Sequence, residues 1–258
     1  MSRVFFGIVA AFALWVGALS FLEPSLVVYA VPWPAPPLHA RFIGALNLSA
    51  MVMCIMSAAS TSREDVRHLP LLIAVWSGVI CLASFLHLEA YHYGEAPIWI
   101  WIIAYVAFPV VACFLAFKMG RGDAAKSSLV LPAWQNNYLR LQGLVLVVFG
   151  AVLLLAPELA ATLWPWKINA ILAQVYAGPL LAYGIVSFQV SGGGYRQAMI
   201  PMTGAFVFTT LTFVASILHR DLFSLRAVSS WLWFLVFGVA MISLGAFLVS
   251  CIQRRRTV

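Results

Sequence analysis

The chain alternates long apolar runs with short polar breaks, and that alternation predicts its elements. Eight runs, at about 4–22, 42–60, 70–87, 98–117, 138–156, 168–190, 198–218 and 229–251, hold almost no charged residue. About 20 apolar residues form one helix long enough to cross the hydrocarbon core of a bilayer. Only helices and closed barrels satisfy their own backbone there. The pattern therefore predicts an all-α polytopic integral membrane protein with eight transmembrane helices. The first run starts just after Met-Ser-Arg, where a cleaved signal peptide would also start. Gly17-Ala18 and Pro24 recur 133 positions later as Gly150-Ala151 and Pro157, so the first run reads as a retained helix.

That recurrence is general. Ala83-Ser84-Phe85-Leu86-His87-Leu88-Glu89 returns 132 positions later as Ala215-Ser216-Ile217-Leu218-His219-Arg220-Asp221, with four of seven residues identical. Trp99-Ile100-Trp101 returns at the same spacing as Trp231-Leu232-Trp233. Histidine and tryptophan are scarce here, so these matches carry more weight than matches at leucine. Four spans per half is an even number, so both halves enter the membrane the same way up. The expectation is two tandem parallel four-helix repeats about an axis along the membrane normal. The first repeat is placed at 1–117, a cytoplasmic linker at 118–137 and the second repeat at 138–258.

Composition agrees with a membrane protein. Of 258 residues, 64% are hydrophobic and 9% charged, against roughly 25% charged in a soluble domain. The net charge of +7 divides into +8 on one set of loops and −1 on the other. Such a bias sets orientation and leaves no basic face for a nucleic acid. It places both termini in the cytoplasm, with a bacterial plasma (inner) membrane as the default location. Membrane lipids are then the certain neighbours, and a homo-oligomer or a subunit role in a larger membrane complex is open. Cys54, Cys81, Cys113 and Cys251 lie singly in apolar runs and read as small hydrophobes rather than a zinc or disulfide framework. The prolines around Trp33 and Trp164-Pro165-Trp166 rule out spanning helices. Those stretches are expected at the outer interface, with their tryptophans at headgroup level.

Candidate chemistry collects on the outer side. Arg41 and Asn47 lie on the second span, Gln174 on the sixth, and His87-x-Glu89 and His219-x-Asp221 close the third and seventh. A group that changes charge inside the membrane is what proton coupling needs, and the runs almost lack one. Signatures for hydrolases, kinases and Cys-x-x-Cys redox enzymes are absent, so the balance leans away from an enzyme. Arg41, Asn47, Gln174, His87, Glu89, His219 and Asp221 are the expected binding residues for a small polar molecule or lipid, bound or passed between the repeats. No cofactor is expected on that reading. The alternative is a membrane oxidoreductase in which His87 and His219, with His92, hold a transition metal or haem. A blander reading has histidine and carboxylate hydrogen-bonded to each other at each helix end.

Overall fold

The computed structural model describes residues 2–33, 35–91, 93–94, 96–120, 130–224 and 226–256. It is all-helical among these residues, and its eight long helices are apolar enough to cross a membrane. They are α1 (Ser2–Leu22), α2 (Pro37–Ala59), α3 (Leu69–Leu86), α4 (Ala96–Gly120), α5 (Ala133–Leu155), α6 (Ala170–Val190), α7 (Tyr195–Leu218) and α8 (Val228–Arg256). The chain is thus a multi-pass membrane protein. Short helical turns at Arg63–Val66 and Pro157–Leu163 cap the connections.

One boundary departs from the apolar pattern in a way that matters. Helix α2 starts at Pro37, where a fixed φ and a missing N–H cost nothing in the first turn. The polar residues His39 and Arg41 are therefore helical. Helix α6 starts behind Asn169, whose side chain accepts from the Leu172 amide at 3.0 Å and caps the first turn. Most of the linker, at 121–129, lies outside the described residues.

Helices α2 and α6 form the centre. Helix α2 packs on α1 and α7, and α6 packs on α5 and α3. Helix α3 pairs with α4, and α7 with α8, whereas α2 and α3 hardly touch. The second span of each half therefore packs on the third span of the other half. Phe42 of α2 lies against Tyr176 of α6 with ring centroids 4.6 Å apart. Deeper along the same pair, the Ser49 hydroxyl meets the Tyr183 hydroxyl at 3.1 Å. Phe108 of α4 closes on Phe12 of α1, and Phe247 of α8 on Tyr138 of α5.

Lipid offers no hydrophobic drive to helix association, so the helices must come close enough for dispersion and hydrogen bonds to hold them. Glycines permit that approach. A Cβ at Gly17 would stand 2.9 Å from Leu48 Cγ, and one at Gly150 would stand 2.8 Å from Leu181 Cγ. At Gly178 it would meet the Trp76 carbonyl oxygen at 2.8 Å, which is backbone and cannot rotate away.

The tryptophans differ from expectation. Trp33, Trp164 and Trp166 are buried. Trp33 meets Trp101 at 4.9 Å and Trp166 meets Trp233 at 4.7 Å, both edge to face. The proline stretches fold the chain back over the helix ends, so these indoles fill the gap between spans. Trp99 and Trp231 stay exposed, as an aromatic belt requires. Of the cysteines, Cys54 and Cys251 are buried, Cys113 is exposed, and all four are free.

Gly178→Ala is expected to destabilise the protein by about 1–3 kcal/mol, because α3 and α6 must separate. Gly7→Ala, where nothing lies within 4 Å, should leave stability unchanged or slightly higher. Thermal unfolding of both variants in one detergent measures the contrast, and equal losses would contradict the close approach.

Candidate functional site

Helices α3 and α7 both stop at a histidine. The backbone leaves the α region at His87 (φ −129°, ψ 35°) and at His219 (φ −117°, ψ 31°), and a short 3-10 turn follows each. A side chain at this C-cap position can reach sideways to a neighbouring helix instead of up its own. Both imidazoles do so. His87 Nε2 donates to Gln174 Oε1 of α6 at 2.6 Å, and Arg41 of α2 donates to His219 Nε2. Each histidine thus bonds a polar residue in the other half of the chain.

The second partner of each pair follows the same logic. Helix C-termini leave carbonyls without an intrahelical donor. Arg41 Nε donates to the Phe21 carbonyl at the end of α1 at 3.2 Å. Gln174 Nε2 donates to the Leu154 carbonyl at the end of α5 at 3.1 Å. Phe21 and Leu154 lie 133 positions apart, as do Arg41 and Gln174. Two three-part locks therefore sit at one end of the bundle, at the starts of α2 and α6.

The locks differ in proton state. Gln174 offers an oxygen, so His87 must carry its proton on Nε2. Arg41 offers only donors, so His219 Nε2 must be the bare, accepting nitrogen. Burial and the neighbouring Arg41 charge hold the His219 imidazole below its ordinary pKa, and Asp221 opposes them in part. Protonating His219 removes the acceptor.

Of the residues expected from the sequence, Arg41, His219, Gln174 and His87 come together in these locks. Glu89 and Asp221 are exposed on the 3-10 turns beyond them. Neither histidine bonds the carboxylate two residues on, because each ring is turned towards the opposite helix. Asn47 lies apart, one and a half turns deeper. Its Nδ2 donates to the Ile43 carbonyl at 3.0 Å, and it lines a cavity of about 40 Å³ among α1–α4. His92 lies outside the described residues. Among the described residues, no three His, Cys, Asp or Glu side chains converge as ligands of one metal ion would.

Beside Arg41 the loop after α1 encloses an open groove of about 770 Å³. Glu23, Ser25, Val28, Trp33, Pro36 and Arg41 are among its walls. Glu23 accepts from the Ser25 hydroxyl at 2.6 Å, and no carboxylate among the described residues forms an ion pair with Arg41.

His39 escaped the sequence reading. It is buried between the halves, with Nδ1 3.0 Å from the Tyr176 hydroxyl and Nε2 2.9 Å from the Lys167 carbonyl. Its Nε2 donates to that carbonyl, which leaves Nδ1 to accept from the tyrosine. The position 133 residues on holds Leu172, so the recurrence in the sequence gave no signal for it. Compared with known proteins, the chain matches no family model, no curated sequence and no solved structure.

The His219 lock makes the fold sensitive to acid. The folded pKa lies below the unfolded value of about 6.5, so the folded state binds fewer protons. Stability is then fully present above about pH 6.5 and is lost as pH falls below it. His219→Gln keeps an acceptor for Arg41 and should flatten part of that loss. Melting temperatures from pH 8 to 5 test this, and a His219→Gln profile that parallels the wild type would refute it.

Proposed function

We propose that this chain is a non-enzymatic membrane protein of two parallel four-helix repeats that binds a small polar molecule or lipid headgroup at its outer-face groove, beside Arg41. The observation that carries the reading is the crossed pair of locks. Arg41–His219 and Gln174–His87 are the same contact made twice, once in each direction between the halves. Other contacts recur at the same spacing and support the duplication. The Trp101 indole donates to Ser84 Oγ at 3.2 Å, and the Trp233 indole donates to Ser216 Oγ at 2.9 Å. A pseudo-two-fold axis between α2 and α6 accounts for all of them. The basic excess on the opposite loops makes the histidine end the outer one.

Binding is favoured over passage because the cavity among α1–α4 holds only about 40 Å³, enough for a water. The groove is far larger, and a cation with no paired carboxylate stands in its wall. A ligand with an anionic group would complete the guanidinium's hydrogen bonds in a bidentate fork. A metal or haem bound through Nε2 of His87 and His219 would have to break both locks, since each Nε2 is engaged. A role as a subunit of a larger complex is compatible with the same groove.

Filling the groove should abolish binding without touching the locks. Wild-type protein is expected to gain thermal stability with one or more members of a panel of small carboxylates, phosphates and phospholipids. Ser25→Trp should lose the gain while keeping the unliganded melting temperature. Stabilisation that survives Ser25→Trp would place the ligand elsewhere. Elemental analysis and an absorption spectrum of the purified protein address the metal alternative; stoichiometric iron, copper or zinc lost in His87→Ala would replace the binding reading with it.

A further inference from the structure

The end of the bundle that carries both termini holds a second pocket, of about 230 Å³. It lies between the start of α1, the end of α2, the loop that follows and the end of α4. Arg3, Arg63 and Lys118 bring three positive charges to its wall, together with several serine and threonine hydroxyls. No acid lines it. The nearby Asp65 is taken, bound by Arg196 at 2.8 Å and by the Ser60 hydroxyl at 2.8 Å. Arg3 is held in place by its bond to the Ser60 carbonyl at 3.1 Å.

Ser57 is the informative residue. Serines in apolar helices normally return their hydroxyl to a carbonyl three or four residues back, as Ser49 does at 2.6 Å and Ser187 at 2.7 Å. Ser57 is 2% exposed and lines this pocket, yet its hydroxyl has no partner. A buried donor left unmade costs free energy, and an acceptor in the pocket would recover it.

Duplication does not explain the pocket, because the equivalent place in the second half is bridged by hydrogen bonds. There Gln135 donates to the Phe247 carbonyl at 3.3 Å and Asn136 accepts from the Gly192 amide at 2.8 Å. Leu131 bonds the Gly193 carbonyl across the gap at 3.2 Å. Arg196, the counterpart of Arg63, is committed to Asp65. Among the described residues, Arg63 and Lys118 of the first half form no ion pair and stand around an open space.

We propose that this pocket binds a phosphate group. Arg3, Arg63 and Lys118 neutralise it, and the Ser57 hydroxyl donates to one of its oxygens. Inorganic phosphate and the phosphomonoester headgroup of a lipid share this chemistry. Phe6 and Leu115 on the apolar side of the pocket would adjoin a lipid's first carbons.

The test uses the full chain in detergent. Its melting temperature is followed against inorganic phosphate, with chloride at equal ionic strength, and against phosphatidic acid, with phosphatidylcholine as the lipid control. A saturable rise with phosphate assigns the free ion; a rise with phosphatidic acid alone assigns the headgroup. In either case Ser57→Ala and Lys118→Gln should each weaken binding about tenfold, as loss of one charge-assisted bond does. Neither substitution should lower the unliganded melting temperature, since Lys118 is exposed and Ser57 has no bond to lose. No rise with either probe, or a rise that both variants keep, overturns the proposal. Neither result bears on Ser25→Trp and the groove at the other end.

Discussion

A helix end inside or near a bilayer cannot rely on water to satisfy its last carbonyls, and this constraint shapes the histidine end of the bundle. Phe21 and Leu154 each present such a carbonyl where α1 and α5 stop. The residue that answers is not local. It comes from the next helix, as Arg41 or Gln174. Once those side chains are fixed at one end, their remaining groups need partners, and the histidines that close α7 and α3 supply them. One requirement for backbone satisfaction thereby ties three helices together at two places. Because each histidine belongs to the opposite half, the same bonds tie the halves to each other.

The crossed contacts explain why α2 and α6 take the centre. A span that must touch its predecessor, the third span of the other half and its own counterpart has little surface left for lipid. Such a helix has to be small and polar enough to be approached from several sides. Helix α6 meets this with Gly178 and Gly184, and α2 with Gly44 and Ser49. Helices α4, α5 and α8 meet few neighbours and expose apolar faces such as Ile103, Leu144 and Ile242. Those are the surfaces a bilayer solvates.

Much of this was legible in the sequence, because length and apolarity alone decide a spanning helix. The eight runs correspond to the eight long helices, and the histidine heptads do lie at the same end of the bundle. What escaped depends on who the neighbour is. Trp166 and Trp231 carry the same side chain near the same depth, yet one faces Trp233 and the other lies exposed. Sequence spacing cannot tell them apart. His39 was missed because apolar counting started α2 at 42, past the prolines that in fact begin it. The carboxylates Glu89 and Asp221 were grouped with the histidines by proximity in sequence. The C-cap geometry sends ring and carboxylate in different directions, so nearness along the chain did not become contact.

Polar groups recur in pairs at a spacing of 132 or 133 residues, but the differences between the two places carry information that the similarities do not. A pair present in both halves, such as Trp101–Ser84 and Trp233–Ser216, shows only that the two places are built alike. Arg41 against Gln174 is different. Either side chain reaches the helix-end carbonyl and the opposing histidine, so the packing alone would accept an amide at both. Placing a guanidinium at one forces the opposing imidazole to be a neutral acceptor and puts a charge beside the open groove, whereas the amide does neither. A related asymmetry occurs at the far end, where Arg63 forms no ion pair among the described residues while its counterpart Arg196 bonds Asp65. At the first place the first half carries an extra charge; at the second both halves carry an arginine, and only its pairing differs. At the helix ends such cations sit at the level of the headgroups, where a positive charge also biases orientation.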